Sequence, residues 1–298
     1  MATARARRGG AYRARSGRSR VVLGTLVALV TLWLVGPFLW LFVTSVSYQK
    51  HLMARPLSFV PPEVTLDNYR MIMGLVRFHA EGQAAKILPS MWNTLVVAGV
   101  VTAVNLVLGT TAGYAYARFR FPLRTVSLLA LLFTRMLPTI VLIPAFFVIF
   151  RALGLQNTLS GLVVAYCSFT LPFTVWIMKA YFETVPGDLD KSALVDGCTR
   201  LGVLRWIVLP LARPGIITAT LFAFTLAWGE FIYALTFIST TSLKTVTAGV
   251  VVDLIRGDVF YWGSLMAGAL VASLPIVVLF SLFLDHYVAG LTAGAVKG

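Results

Sequence analysis

Long apolar segments alternate with short polar ones along nearly the whole chain. Four of these segments contain no Asp, Glu, Lys or Arg, and two more contain one charged residue each. A membrane hydrocarbon core about 30 Å thick requires roughly 20 apolar helical residues, and every segment reaches that length. The pattern predicts six transmembrane helices, over residues 21–49, 87–117, 125–150, 152–178, 214–237 and 259–284.

Composition and charge agree with a polytopic membrane protein. Hydrophobic residues make up 58% of the chain, charged residues 12%, and the mean hydropathy is +0.86, which excludes an ordinary soluble domain. With a cytoplasmic N-terminus, the inside segments hold nearly twice as many Lys and Arg residues as the outside loops. The positive-inside rule therefore predicts that both termini are cytoplasmic. The Arg-rich first twenty residues then fix topology and contact anionic lipid, and we expect no nucleic-acid binding.

The sequence contains no arrangement typical of an enzyme. The two cysteines and three histidines are scattered, so neither a metal site nor a catalytic triad is indicated. No GxxxxGK[ST] phosphate-binding loop occurs. We predict a non-catalytic chain without a cofactor, and any nucleotide hydrolysis that powers it must take place on another chain.

Two charged residues lie inside predicted spans, where a charge costs several kcal/mol and normally faces a bundle interior or a water-filled cavity. They are Arg135 and Glu230. They pair with each other, bond a polar substrate, or make structural contacts within the bundle. Trp228 and Tyr233 flank Glu230 and either stack on a sugar ring or pack ordinarily. Prolines are expected to interrupt three spans, at Pro138, Pro144, Pro172 and Pro275.

A polar island of mixed charge, residues 185–216, separates the fourth and fifth predicted spans. Asp188 is predicted to cap a short helix through Val195, and Gly197 to end it. Thr199 is predicted to cap a second short helix, which is expected to end at two prolines, Pro210 and Pro214. The result is a helix-turn-helix suited to docking against another protein.

The island resembles the EAA loop of the permease subunits of bacterial carbohydrate ABC importers. That loop reads approximately P-x-E-L-x-E-A-A-x-x-D-G-A, followed by L-P-L-x-x-P. The positions that match are Pro186, Leu189, Ala193, Asp196, Gly197, Leu209, Pro210, Leu211 and Pro214. Other segments, including WNTLVV from Trp92, AGYAYARFRFP ending at Pro122 and the terminal GLTAGAVKG, resemble the same family, in particular the maltose permease subunit MalG and its relatives.

The resemblance implies an all-α membrane protein with the type I ABC importer permease fold and six transmembrane helices, in the bacterial inner membrane. The implied divisions are a basic cytoplasmic tail (1–20), a first transmembrane helix (21–46), an extracytoplasmic loop (47–87), a permease core (88–285) that includes the EAA loop (185–214), and a cytoplasmic C-terminal tail (286–298). The implied partners are a second, MalF-like permease subunit, two ATP-binding subunits that hold ATP and Mg, an extracytoplasmic solute-binding protein and a sugar.

The resemblance also implies roles for particular residues. The ATPase-coupling set is Asp190, Lys191, Ser192, Ala193, Asp196, Gly197 and Pro210. The set that contacts the binding protein is Lys244, Asp253, Arg256 and Asp258. The substrate-pathway set, Arg135, Trp228, Glu230 and Tyr233, is predicted from the intramembrane charges and their aromatic neighbours and not from the resemblance. The chain departs from the family pattern at Lys191, which stands where a Glu is usual, and at Ser192, which replaces the first Ala. Asp190 is a candidate to replace the missing acidic contact.

Two alternatives remain open. In an ion-coupled secondary transporter, Glu230 and Arg135 would be the coupling residues. A non-transporting membrane scaffold would need neither buried charge nor kinked helices. The sequence does not identify the sugar, because closely similar permeases handle disaccharides, oligosaccharides and polyols.

Overall fold

The computed structural model describes residues 17–56, 59–75, 87–256 and 259–295. The described part is almost entirely helical. Its α-helices are α1 (Gly17–Ser45), α2 (Gln49–Leu52), α3 (Asp67–Ile72), α4 (Ile87–Arg118), α5 (Arg124–Met136), α6 (Thr139–Ala152), α7 (Leu159–Thr184), α8 (Gly187–Val195), α9 (Arg200–Val203), α10 (Leu209–Leu211), α11 (Arg213–Trp228), α12 (Ile232–Phe237), α13 (Val246–Leu254) and α14 (Trp262–Ala295). Two antiparallel strands of two residues each, β1 (Ile255–Arg256) and β2 (Val259–Phe260), precede α14.

Within the described residues, four helices are long and apolar enough to cross a membrane: Val21–Ser45, Ile87–Arg118, Leu159–Thr184 and Trp262–Leu284. Two bent pairs also pass, α5 with α6 and Arg200–Leu211 with α11. The count reaches six, as predicted, when each pair is one span. The fifth span differs in its bounds, because α11 ends at Trp228 and the chain continues into the separate short helix α12.

Proline breaks the helices at only one of the four expected places. The chain bends by 100° between α5 and α6, where Leu137 and Pro138 are extended. Pro144, Pro172 and Pro275 lie inside helices that continue through them. The expectation was wrong at these three positions because neighbouring helices and local adjustments can compensate for one missing donor.

Helices α4 and α7 pack closely against each other through two glycines four residues apart. A Cβ atom on Gly109 would lie 2.5 Å from Thr174 Cγ2, and one on Gly113 would lie 2.8 Å from Met178 Cβ and 3.0 Å from the Lys179 backbone nitrogen. Small residues at this spacing allow two membrane helices to approach closely.

The buried residues form two clusters. The larger lies among α4, α6, α7, α11, α12, α13 and α14, and its largest fully buried side chains are Tyr166, Tyr233 and Phe150. The smaller joins the C-terminal ends of α4 and α7 to the island, through Tyr114, Met178, Phe182, Ala193 and Val203. The island is therefore packed into the bundle and is not a loose connection.

The last helix runs past residue 285, where the C-terminal tail is expected to begin. Helix α14 continues to Ala295, so residues 286–295 of the predicted tail are helical. Residues 296–298 lie outside the described part of the chain.

Candidate functional site

The first helix of the island is ended by the geometry that glycine allows. Gly197 has φ +89°, its N–H donates to the Leu194 carbonyl, and the Cys198 N–H donates to the Ala193 carbonyl. These two hydrogen bonds form a Schellman motif, in which the residue after the helix takes a left-handed conformation. The prediction that Gly197 ends α8 is confirmed.

The start of α8 corrects one sequence expectation. Pro186 occupies the N-cap position and makes no side-chain capping bond, while Asp188 lies inside the first turn. Because α8 begins two residues earlier than expected, Asp188 is a first-turn acid that favours the positive end of the helix dipole. It is not the cap.

The second half of the island begins as predicted and ends later. The Thr199 hydroxyl accepts a hydrogen bond from the Gly202 N–H at 3.1 Å, which caps α9. A π-helical turn, Leu204–Val208, leads into α10, and Pro210 lies in the first turn of α10 without breaking the chain. The break comes at Ala212, where the helical direction changes by 84° into α11. A proline is tolerated in a first turn because its missing donor has no intrahelical acceptor there.

The inner face of α8 is fixed to the membrane bundle. Asp190 is 4% exposed, and its Oδ2 accepts hydrogen bonds from Arg118 Nε at 3.0 Å and the Tyr114 hydroxyl at 3.0 Å. Ala193, one turn further along, is 5% exposed and belongs to the smaller buried cluster. The Asp190 carboxylate therefore binds residues of its own chain. It does not replace the exposed acidic side chain that is lost where Lys191 stands in place of the usual Glu.

The outer face of α8 is uncovered in the chain. Lys191, Ser192 and Asp196 are exposed, and Val195 is 87% exposed. Lys191 Nζ donates to Asp188 Oδ1 at 2.8 Å, and this hydrogen bond lowers the pKa of the Asp188 carboxyl and raises that of the Lys191 ammonium. The exposed surface thus combines an ion pair with an apolar residue.

Glu230 lies at the break between α11 and α12, where it caps the second helix. Its carboxylate accepts hydrogen bonds from the backbone N–H groups of Tyr233, at 2.8 Å, and Ala234, at 3.1 Å. A carboxylate at a helix N-terminus satisfies donors that have no partner within the helix. A structural role within the bundle therefore explains this intramembrane charge, because each carboxylate oxygen of Glu230 accepts a backbone hydrogen bond.

Arg135 lies in the last turn of α5, beside the bend at Pro138. Its Nη1 donates to the Phe169 carbonyl at 2.9 Å, and its guanidinium lies 5.7 Å from the centre of the Phe173 ring. Among the ion pairs of the described residues, none joins Arg135 to Glu230. Arg135 remains exposed, so it is available to a group outside this chain.

The two aromatic residues beside Glu230 are buried in helix packing. Trp228 is 3% exposed, stacks on Phe224 and donates from Nε1 to the Ala272 carbonyl at 3.0 Å. Tyr233 is 1% exposed and stacks on Phe237. Neither ring presents a free face in this structure, and their role in a substrate pathway stays a prediction.

The expected binding-protein residues lie in or near the segment before α14. Lys244 and Asp253 form an ion pair at 3.1 Å with side chains 11% and 20% exposed, so they hold the segment rather than stand free. Arg256 lies in β1, and Asp258 lies outside the described residues. The Asn93 side chain also fixes this segment by donating to the carbonyls of Ser242 and Lys244.

Sequence reasoning missed the contacts of Tyr114 and Arg118 with Asp190. Arg118 was only one of several cytoplasmic arginines and a match to the family pattern. A signal was present, since Arg118 is the first charged residue after a long charge-free segment. Its contact with Asp190, 72 residues away, required the structure.

Known proteins match this chain along most of its length. The family model described as "Binding-protein-dependent transport system inner membrane component" matches residues 105–292. The trehalose transport system permease protein SugB of Mycobacterium tuberculosis is 36% identical over 96% of this chain and 99% of its own length. The trehalose/maltose transport system permease protein MalG of Thermococcus litoralis is 32% identical over 94% of this chain and 97% of its own length.

A solved structure has the same fold. A chain of a bacterial ABC transporter involved in the import of the acidic polysaccharide alginate superimposes with a TM-score of 0.72, over 93% of this chain and 99% of that one, at 20% identity. The fold, the motif and the sequence relatives agree. The chain belongs to the binding-protein-dependent transport system inner membrane components and is a MalG-like, non-catalytic permease subunit of the carbohydrate ABC importers.

Proposed function

We propose that this chain forms half of the translocation pathway for a disaccharide, oligosaccharide or related polyol, and that ATP hydrolysis on separate subunits drives it. A second, MalF-like permease completes the pathway, and two ATP-binding subunits hold ATP and Mg. A solute-binding protein delivers the sugar from outside. The protein lies in the bacterial inner membrane with both termini in the cytoplasm, as the distribution of Lys and Arg predicts.

The observation that carries this proposal is the two-faced island. Asp190 and Ala193 on its inner face are buried against α4 and α7. On the outside, large apolar side chains are exposed at Leu189 (41%), Val195 (87%) and Leu201 (68%). Exposed apolar groups beside a charged surface favour a protein partner. An element that is fixed to the membrane helices on one face and exposed on the other can serve as the docking surface for an ATPase subunit.

Such docking would convert closure of the ATP-binding subunits into movement of the membrane helices. A rigid element that is attached to both bodies transmits displacement without needing to deform. The island meets this requirement because its inner face shares a buried cluster with α4, α7 and α11. Movement of the island would therefore carry these helices with it.

The sugar class rests on the relatives. Two are permeases of trehalose or trehalose/maltose systems, and each matches more than nine tenths of this chain. A disaccharide of this type is therefore the first substrate to test. Arg135 is the candidate contact in this subunit, since it is exposed beside the bend between α5 and α6.

The ion-coupled alternative is weakened by the position of Glu230. A coupling carboxylate must bind and release a cation, whereas both oxygens of Glu230 accept hydrogen bonds from the backbone of α12. Arg135 is bonded to the Phe169 carbonyl instead of balancing that charge. The geometry therefore favours the ATP-driven mechanism.

A photo-crosslinking residue at position 195 tests the docking surface. With benzoylphenylalanine in place of Val195, irradiation of membranes that contain the whole complex is expected to produce an adduct with an ATP-binding subunit, detected by immunoblot. The matched control carries the same residue at Val27, which is 57% exposed in the middle of α1. We expect no such adduct there. If position 195 fails to yield the adduct, or both positions yield it equally, the island is not the docking element.

A further inference from the structure

A buried ionic cluster joins the island to the rest of the molecule. The Arg118 guanidinium, at the last residue of α4, donates from Nε to Asp190 in α8 and from Nη2 to the Val185 carbonyl at the end of α7, at 3.0 and 2.8 Å. The Tyr114 hydroxyl, one turn earlier in α4, donates to the same Asp190 oxygen. One arginine side chain thus connects three helices.

All members of this cluster are shielded from solvent. The Arg118 and Asp190 side chains are 12% and 5% exposed, and Tyr114 and Val185 are 4% and 7% exposed. Asp190 Oδ1 is also buried and makes no hydrogen bond to the described residues. A buried ion pair with an unsatisfied oxygen is a poor source of stability, since apolar residues of similar size usually do as well. In some proteins a buried polar or ionic group instead fixes the register between two elements.

The cluster acts on a part of α4 that is already joined closely to α7. Gly113 immediately precedes Tyr114, and its close approach to Met178 and Lys179 leaves no space for a Cβ atom between the two helices. The apolar contacts of Ala193 with the smaller buried cluster supply attachment but no direction. The ionic cluster is therefore the directional connection between α8 and the α4–α7 pair.

We propose that Tyr114, Arg118 and Asp190 form a latch that makes the island and the C-terminal end of α4 move as one body, so that they are positioning residues for transport. This inference rests on the proposed function for its role in coupling. Without the latch, the island can still dock on an ATP-binding subunit. Its displacement is then lost in local rotation of α8 and no longer reaches the membrane helices.

Two variants remove the latch in different ways. Asp190→Asn neutralises the carboxylate and keeps its shape, but it leaves Arg118 buried without a counter-charge. The double variant Arg118→Met with Asp190→Leu replaces both charges by apolar groups, which buried sites usually tolerate, and therefore remains informative if the single variant does not fold. Glu183→Gln is the matched control, because Glu183 is a carboxylate at the end of α7 that pairs with Lys179 and Arg124 and makes no ion pair with the island.

The first readout reports anchoring alone and needs neither substrate nor partner. A nitroxide attached to Cys198, which is exposed just beyond α8, is followed by electron paramagnetic resonance in a Cys167→Ala background, with the full chain in lipid vesicles. We expect a mobile spectral component in both latch variants and none in the control. If the double variant gives the spectrum of the parent chain, the latch does not hold α8, whatever the protein transports.

The second readout reports coupling. In vesicles that contain the whole complex and the binding protein, labelled trehalose taken up per ATP hydrolysed is expected to fall at least about 5-fold in the double variant, the scale of an ordinary coupling free energy, while ATP hydrolysis continues. An unchanged ratio together with a mobile label would overturn the positioning role. If the parent complex takes up no trehalose, the proposed substrate is wrong, and the spectral comparison alone decides the latch.

Discussion

Replacement of Gly113 by leucine is expected to abolish accumulation of the folded chain in membranes. A Cβ at this position would lie 2.8 Å from Met178 Cβ and 3.0 Å from the backbone nitrogen of Lys179. The backbone of a packed helix cannot move aside as a flexible side chain does, so α4 and α7 must separate along their contact. Overpacking of this kind costs typically about 1–3 kcal/mol and sometimes more, which is a large part of the net stability of a single domain.

The control for this prediction lies on the same helix. A Cβ on Gly99 meets nothing within 4 Å, and Gly99 is exposed. Gly99→Leu is therefore expected to leave expression and thermal stability near those of the parent, measured by fluorescence-detected size exclusion after a heating series. Equal behaviour of the two leucine variants would mean that the close contact between α4 and α7 is not essential to the fold.

The second large effect is expected at Gly197, and it should appear in transport more than in folding. A Cβ here meets nothing within 4 Å, so the penalty is conformational: φ is +89°, and a β-branched residue is strained in that region. Strain of this kind costs of order 1–3 kcal/mol, and the chain can relieve it locally by unwinding the end of α8. Gly197→Val is expected to change the docking surface beside Val195 and to uncouple ATP hydrolysis from transport.

Gly154 provides a matched control for that strain. It has φ +65°, nothing lies within 4 Å of a Cβ added there, and it occupies the connection between α6 and α7, away from the island. Gly154→Val should lower thermal stability to a similar degree while preserving labelled sugar taken up per ATP hydrolysed. If Gly197→Val transports with the parent ratio, or if Gly154→Val loses the ratio equally, Gly197 has no specific role in coupling.

Much of the island could be predicted from sequence because its signals are local. A glycine that ends a helix and a threonine that caps the next act within a few residues of themselves, and Gly197 and Thr199 both do so in the structure. The apolar segments likewise predicted the transmembrane helices, because the length and composition of a segment do not depend on what it packs against. The match to the family pattern then indicated that the island is an EAA loop.

The direction in which side chains point could not be predicted in the same way. Asp190 and Lys191 are neighbours in the sequence, yet the first is buried on Arg118 and the second is exposed on Asp188. Which of the two faces the bundle depends on how α8 lies against α4, and 72 residues separate Asp190 from Arg118. The same limit applies to Trp228, which bonds to Ala272 in α14, and to Tyr233, whose ring lies against Phe146 in α6 and Phe169 in α7.

The prolines and Glu230 show a further limit of local reasoning. Pro138 ends a helix while Pro172 does not, although both lie in apolar segments. The sequence predicts that the charge of Glu230 requires a bonding partner inside the membrane. In the structure, its partners are two backbone N–H groups only three and four residues away. That solution required a helix break at Phe231, which nothing in the apolar pattern marks.

The position of Lys191 has a consequence for partner choice. Where related permeases usually present a Glu, this chain presents an ammonium group, already bonded to Asp188 at 2.8 Å. If the island docks on an ATP-binding subunit as proposed, that subunit meets a neutralised pair in place of a free acid. Both side chains are largely exposed, so the pair itself contributes little to stability.

We propose above all that ATP hydrolysis on separate subunits drives transport through this protein. Uptake of labelled trehalose into vesicles that contain this chain, its partner permease, the ATP-binding subunits and the binding protein tests it most directly. We expect uptake to require ATP and the ATP-binding subunits, and to continue when proton and sodium gradients are collapsed. Uptake at an undiminished rate in vesicles without the ATP-binding subunits, driven by an ion gradient, would contradict the account.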